Sequence, residues 1–327
     1  MRIFVYEHIT GGGCLGEALP PSLAHEGELM LRALLDDLRD VAGTEVLIMR
    51  DPRLSVFDAA LEVARPQSKA EARNLFRHCC ISADAVWPVA PETNGALKRL
   101  SMEILDCGRI LLGSLPEAID IAASKTLTAR TLAQAGVPAV ATYRHPAQLP
   151  ADIQEVVIKP DDGAGCQDTH RFGRADALDW WNKKSSANHV LQPYLHGDPR
   201  SLSLLCDSES AQLLSCNEQQ ISIEGSELRF VGVKVNAVHT NRDRYAQLAR
   251  QIAGAIPGLW GYVGVDLIET NSGPVVLEIN PRLTTSYAGL RQALGSNPAA
   301  LVLALLDSGG ASQPRAALAS KVTACHA

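Results

Sequence analysis

Residues 261–287 read GYVGVDLIETNSGPVVLEINPRLTTSY. Val263, Val265 and Leu267, and then Val275, Val276, Leu277 and Ile279, are strand formers. Asn271-Ser272-Gly273 with Pro274 supplies turn chemistry between them, so the stretch predicts a β-hairpin. On the first strand Asp266 alternates with Val265 and Leu267 and faces away from them. On the second, Glu278 and Asn280 are two apart and share a face. Pairing around the turn gathers two carboxylates and an amide oxygen. Such hard ligands suit Mg²⁺ (or Mn²⁺), which typically takes one or two carboxylates and completes its shell from substrate phosphates. A lone acidic pair is more often a solvated hairpin face. Arg282, an anion-binding group two residues beyond Asn280, tips the reading toward a site, provided that a nucleotide pocket exists elsewhere.

Working outward, residues 1–117 alternate strand and helix. Ile3–Tyr6, Val46–Met49, Ala85–Trp87 and Ile110–Leu112 read as strands. Leu23–Leu38, Lys69–His78 and Thr93–Leu105 carry helical periodicity. This rhythm predicts a mostly parallel sheet, with ligands beyond the strands' carboxyl ends. Gly11-Gly12-Gly13-Cys14-Leu15-Gly16 matches GxGxxG, but Pro20 and Pro21 prevent a helix from opening at the last glycine. The acid ending the second strand, Asp51, also comes too late for a ribose. A nicotinamide-dependent dehydrogenase is therefore only an alternative. The glycines read instead as a flexible loop, where Glu7 and Gly12 are candidate substrate contacts, with a plain turn equally compatible. Glu92-Thr93-Asn94-Gly95 offers a helix start whose N–H groups can take an anion, though a simple cap is the default.

From Ser124 the chain changes character. Ser124 caps a helix to Ala135, and Lys125 lies in its first turn, where the dipole disfavours a cation unless a phosphate partners it. Val156-Val157-Ile158-Lys159 is a strand ending in a lysine. Gly163 and Gly165 in the turn that follows permit N–H groups to converge on an anion, with Asp161 and Asp162 expected to point outward. An ordinary hairpin is the commoner meaning of such a segment. The extended 191–198 segment, with Gln192, Tyr194 and Leu195, suits an adenine edge, and Asp198 a ribose. Phe230–Val235 is a strand bearing Lys234, Arg242–Ile256 a helix and Pro298–Leu306 another.

Composition bounds the rest. The 327 residues are 46% apolar, enough for two or three cored units. A net charge of −6 predicts no nucleic-acid partner. No apolar run reaches the ~18 residues of a membrane span, and the amino terminus lacks a signal peptide's core, so a cytoplasmic protein is expected. Eight cysteines without CxxC spacing read as reduced thiols.

Four segments in this order resemble the ATP-grasp superfamily of carboxylate–amine ligases: SKTLTARTLAQAGVP at 124–138, VVIKPDDGAGC at 156–166, LQPYLHGD at 191–198, and Asp266 with LEINPR at 277–282. YEHITGGG, APETNG and GYVGVDLIE…LEINPRLTTSYAGL further resemble the tyramine–glutamate ligases of methanofuran biosynthesis. In the related bacterial cofactor, methylofuran, tyrosine stands in for tyramine. The resemblance implies an α/β ATP-grasp fold: an N-terminal parallel-sheet domain (1–117), then a small lid subdomain (118–190) and a catalytic subdomain (191–307) that clamp ATP, then a flexible tail (308–327). It implies that Lys125 and Lys159, with Gly163 and Gly165, hold phosphates. Backbone atoms of Gln192 and Leu195, beside Tyr194, would hold adenine, and Lys234 would approach the γ-phosphate. Asp266, Glu278 and Asn280 would hold Mg²⁺, and Arg282 would steady an acyl phosphate. Thr284, Ser286, Glu92 and Thr93 join Glu7 and Gly12 as substrate contacts. The implied activity is ADP-forming amide synthesis between glutamate and tyramine or tyrosine, with small-molecule partners only and a homodimer allowed. An ATP-grasp ligase for another amino acid/amine pair, or a nucleotide-binding module without chemistry, is the rival.

Overall fold

The computed structural model describes residues 1–55, 57, 61–163, 165–184, 187–207, 210–306 and the backbone of 320–323. The N-terminal part alternates β1 (Arg2–Glu7), α1 (Pro21–Arg39), β2 (Glu45–Met49), β3 (Glu62–Ala64), α2 (Lys69–Ser82), β4 (Ala85–Val89), α3 (Ala96–Asp106) and β5 (Ile110–Leu111). All five strands pair in parallel, in the order β3-β2-β1-β4-β5. The carboxyl ends of β1 and β4 therefore point the same way, toward the rest of the chain. Pro21 opens α1 because a first-turn residue needs no N–H partner.

α4 (Pro116–Ala123) and α5 (Lys125–Gln134) lead into a small middle unit built from β6 (Glu155–Pro160), β7 (His170–Gly173), α6 (Arg174–Lys183) and β8 (His189–Pro193). Val156, Ile158 and Leu191 pack with Ala177 and Trp181 in that unit's own small core. The opposite face of β6 carries Val157 and Lys159. The C-terminal part continues the sheet with β9 (Asp198–Cys206), β10 (Ala211–Glu224), β11 (Glu227–Val235), α7 (Arg242–Ala255), β12 (Gly261–Thr270) and β13 (Gly273–Asn280), followed by α8 (Tyr287–Leu294) and α9 (Pro298–Ala304). The strand order is β13-β12-β9-β10-β11-β7-β6-β8. The short strand β14 (Ser320–Thr323) pairs antiparallel with β11. The rest of the expected tail lies outside the described residues.

The largest apolar cluster ignores the sequence's division into parts. Leu31, Leu34 and Leu38 of α1 pack with Leu290, Ala293 and Leu294 of α8 and Val302 of α9. A buried polar clasp joins the same surfaces. Tyr287 donates its hydroxyl to Asp37 Oδ2 at 2.7 Å, and Asn297 donates to the Asp37 carbonyl at 2.8 Å. Burial pushes the Asp37 carboxyl up to about 6, against the pull of Tyr287 and Arg291. The native state thus holds a proton that the unfolded chain has released between the ordinary carboxylate value and about 6, so this group's contribution to stability falls as pH rises through that window. Urea midpoints measured from pH 4 to 7 are expected to fall less steeply for Asp37→Asn than for the wild type. Parallel curves would refute this.

Candidate active site

The hairpin expected at 261–280 forms, and its register sets Asp266 opposite Glu278. Val263, Val265, Leu267, Val276 and Ile279 are buried in a second core beneath it. That burial fixes which face carries Asp266, Glu278 and Asn280, because a one-residue slip would invert it. One departure from plain alternation matters. The register passes from Asp266↔Glu278 to Leu267↔Val276, so Leu277 is bulged out and lines the cleft beside Glu278.

Asp266 accepts hydrogen bonds from Gln219 Nε2 (2.7 Å) and Asn280 Nδ2 (3.1 Å). Burial and the Glu278 charge push its carboxyl well up. Burial acts on Glu278 in the same direction, but Lys125 and Lys159 override it and hold that carboxyl low. Lys125 Nζ stands 3.3 Å and Lys159 Nζ 3.8 Å from Glu278 Oε2. Burial also lowers the Lys159 ammonium, with Glu278 opposing it. Two half-buried carboxylates therefore face each other, and only one has cationic partners at hand. A divalent ion fits that deficit. Among the described residues no three His, Cys, Asp or Glu side chains form an all-protein metal cage.

The lysine in the first turn of α5 is explained by what surrounds that helix start. Asp161, expected to point outward, is instead buried against it. Thr126 donates to Asp161 Oδ1 from both N (2.8 Å) and Oγ1 (2.9 Å), and Ser124 Oγ donates to Oδ2 (2.8 Å). The carboxylate offsets the helix dipole, and Lys125 is free to donate to the Gly163 carbonyl at 2.7 Å, which ties α5 to the glycine turn.

Arg282 crosses to the N-terminal part. Its Nη2 (2.9 Å) and Nε (3.2 Å) both donate to Glu92 Oε2, and both side chains are largely buried. Glu7, at the end of β1, accepts from Ile9 N (3.2 Å) and from Thr10 N and Oγ1 (2.6 Å each). Gly27 of α1 lies so close that a Cβ there would stand 2.6 Å from the Glu7 carboxyl carbon, so any side chain at that position would displace the Glu7 carboxylate. The glycine loop is thus a packed turn that holds Glu7. It is no dinucleotide cradle, since the helix starts only at Pro21, beyond the last glycine.

One cleft of about 370 Å³ joins these groups, a size usual for small-molecule sites. It is lined by Glu7, Lys125, Lys159, Gly163, Gly165, Gln192, Tyr194, Leu195, Asp266, Glu278, Asn280, Arg282, Thr284 and Ser286. Other expected residues fall outside it. Lys234 alternates with Val233, whose side chain faces the cleft, and so turns away to pair with Glu218 at 2.7 Å. Asp198 lies between the cleft-lining Gly197 and Pro199 and points out, toward Arg200 at 2.8 Å. Gly12, at φ +103°, packs toward Pro66 and Leu15. Glu92 acts through Arg282 from outside the lining. Thr93 serves the flap described below. Gln219, Glu26 and Cys166 line the cleft without having been expected there. Gln219 carried a faint signal as an amide within a strand.

A sequence profile of the ATP-grasp domain matches residues 122–286, and one of the pre ATP-grasp 3 domain matches 44–119. The chain belongs to the ATP-grasp family. Curated relatives of this ATP-grasp chain include the tyramine–L-glutamate ligase of Methanocaldococcus jannaschii, 30% identical over 83% of this chain and 80% of that one. The enzyme of that name from Methanocaldococcus fervens is 28% identical over 88% and 89%. Among solved structures, an ATP-grasp superfamily protein from Archaeoglobus fulgidus superposes with a TM-score of 0.72 at 25% identity, covering 93% of this chain and 88% of that one. An L-amino acid ligase from Bacillus licheniformis shares the fold, with a TM-score of 0.66 at 16% identity over 92% and 73%.

The glycine flap of this ATP-grasp chain is clasped from two sides. Asn94 N donates to Asp162 Oδ2 at 2.9 Å and Thr93 Oγ1 to the Asp162 carbonyl at 3.1 Å, while Asn188 Nδ2 donates to Oδ1 at 2.6 Å. The anion expected at the Glu92–Gly95 segment is therefore this carboxylate of the flap. A flap held down excludes water from a reactive intermediate. Asp162→Ala is expected to raise ADP release relative to product formed, by severalfold, through hydrolysis. An unchanged ratio of ADP to product by chromatography would count against the clasp.

Proposed function

We propose that this protein is an ADP-forming ligase that joins glutamate to an aromatic amine, tyramine or tyrosine, in the making of a methanofuran- or methylofuran-type cofactor. The observation that carries the proposal is Glu278 held between the buried ammonium groups of Lys125 and Lys159 and facing Asp266 in one cleft. The family membership and the names of the archaeal relatives support the choice of substrates.

In this reading a glutamate carboxylate attacks the γ-phosphorus of ATP, the bond to the β-phosphate oxygen breaks, and ADP leaves. The amine nitrogen then forms a bond to the acyl carbon, phosphate departs with the C–O electron pair, and the nitrogen loses a proton. Two anions must first meet. At 4 Å they repel by about 4 kcal/mol at an effective dielectric near 20, so cationic neutralisation is part of the step. Lys125 and Lys159 supply it along the phosphates, and Arg282 does so at the acyl end. Asp266, Glu278 and Asn280 would hold Mg²⁺ or Mn²⁺, which supplies further neutralisation when bound. Val157, Gln192, Tyr194 and Leu195 would house the adenine between lid and catalytic strands. No helix among the described residues is long and apolar enough to cross a membrane, in keeping with small dissolved substrates.

The test is ADP release with glutamate against tyramine, tyrosine and polyamines, followed by mass spectrometry. A product equal to acid plus amine minus water is expected with an aromatic amine. ADP release without any condensed product would end the proposal.

A further inference from the structure

On the sheet face that carries Asp266 and Glu278 lies a group of hydroxyls that the phosphate chemistry does not use. Tyr262 Oη stands 2.8 Å from Thr284 Oγ1, 3.0 Å from Ser286 Oγ and 3.1 Å from Ser203 Oγ, and the Thr284 and Ser286 oxygens are 2.9 Å apart. Tyr262, Ser203 and Ser286 are buried, while Thr284 is half-buried and, with Ser286, lines the cleft. Strand register fixes where the group sits. Gly264 pairs with Ser203 on one side and with Asn280 on the other. A Cβ on Gly264 would stand 2.5 Å from Thr284 Cγ2 and 3.5 Å from Asn280 Cβ, so Thr284 lies over the glycine, next to Asn280. Asp266 is two residues further along the same face of β12, so the level of the acidic pair is about 7 Å away.

The protons of this group run toward the cleft. Asn236 N donates to Asn217 Oδ1 at 2.9 Å, as does Ser215 Oγ, so it is the amide nitrogen of Asn217 that meets Ser203, at 3.3 Å. Ser203 thus accepts from Asn217 and gives its own proton to Tyr262 or Ser286. Linking the four hydroxyls uses three of their protons. The fourth closes the ring of Tyr262, Thr284 and Ser286, or turns outward when an anion stands in the cleft. That exchange trades a neutral bond for a charge-assisted one, roughly twice as strong. Burial holds the Tyr262 phenol above its usual value, so it stays protonated. A chain fed by a donor at its inner end offers a donor at its mouth.

We propose that these hydroxyls form the subsite for the second carboxylate of glutamate, the one that is not activated. Thr284 touches it, and Tyr262, Ser203 and Asn217 act through Thr284 as positioning residues. The inference rests on the ligase reading above and adds to it the residues that demand a dicarboxylate. The lysines serve the phosphates in that reading, which leaves this carboxylate to be met. The carboxyl carbons of extended glutamate stand about 5 Å apart, which suits the step from the acidic pair to the hydroxyls. Tyrosine would bring a carboxylate as well, and KM values separate the two substrates.

The full-length protein is assayed for ADP release with glutamate, glutamine and isoglutamine, each with a saturating aromatic amine. The amide that is turned over keeps the activated carboxyl. Its disadvantage in kcat/KM against glutamate, expected to be about tenfold or more, measures the grip on the other carboxylate. Thr284→Val, which exchanges the hydroxyl for a methyl group, should raise the KM of glutamate by about tenfold and shrink that disadvantage by a like factor, with the KM of ATP and of the amine within about twofold. Thr284→Ser should restore the wild-type values. Tyr262→Phe should raise only the KM of glutamate, and by less. A Thr284→Val variant that slows glutamate and its amide equally, or that raises the KM of ATP or of the amine instead, overturns the assignment. So does a wild type that turns over an amide as well as glutamate. If neither amide is turned over, the KM of glutamate in the variants decides alone. If no amine gives a condensed product with glutamate, the ligase reading itself fails, and this inference falls with it.

Discussion

Glu278→Gln is expected to lower ADP formation by about 10²-fold or more in a protein that still folds. The substitution keeps shape and removes one charge at the point where two buried lysines and an acidic neighbour meet. Three consequences follow. In the proposed site a divalent ion would lose a carboxylate and be left with Asp266 and Asn280. Lys125 and Lys159 lose the anion that sets them apart, so their repulsion has to be relieved by movement or by proton loss from Lys159, which burial already disfavours as an ammonium. The phosphates are then met by fewer and misplaced cations. Stabilisation by MgATP in a thermal-shift assay should shrink together with turnover. Unchanged ADP release in a folded variant would remove Glu278, and the metal assignment with it.

The second large effect concerns both stability and chemistry. Arg282→Ala leaves Glu92 buried without its guanidinium, a loss of the kind that costs about 3–5 kcal/mol. It also deletes the cation nearest the proposed acyl end, which on its own is expected to cost about 10²-fold or more in ADP formation. The two contributions separate in a second variant. Arg282→Met with Glu92→Gln removes the orphaned charge, so the urea midpoint should recover most of the loss while activity does not. Arg282→Lys keeps a charge but cannot donate from two nitrogens to Glu92 Oε2, and it should fall between. Activity returning with stability in the double variant would make Arg282 a purely structural residue.

The parts of the site that sequence made legible were local. The hairpin at 261–280 announces itself through alternation and turn residues, and its two carboxylates lie one strand apart, so little tertiary information is needed to bring them together. Ser124 caps α5 as its position predicts. What escaped depends on long-range placement. Asp161 caps a helix 35 residues earlier in the chain, and Glu92 meets Arg282 across 190 residues. Neither partner leaves a local pattern. Lys234 and Asp198 lie outside the cleft for a different reason. Each lies on a strand next to residues that face the cleft, and period-2 geometry turns it to the other side, which no motif position records. The bulge at Leu277 likewise breaks the alternation without a glycine to mark it. β3, α4 and α8 are too short to show a periodicity of their own, and packing holds them in place.

The cluster in which α1 and α8 interleave separates ancestry from autonomy. The segment that the ATP-grasp profile matches, 122–286, ends one residue before Tyr287, whose hydroxyl reaches back to Asp37. A fragment cut at those borders would keep every lysine and carboxylate of the phosphate site. It would also bare Leu205, Leu214, Val233, Val235 and Tyr262, which lie in one apolar cluster with the excised residues of 21–39 and 287–304. The heritable module is thus smaller than the smallest piece of this chain able to stand alone.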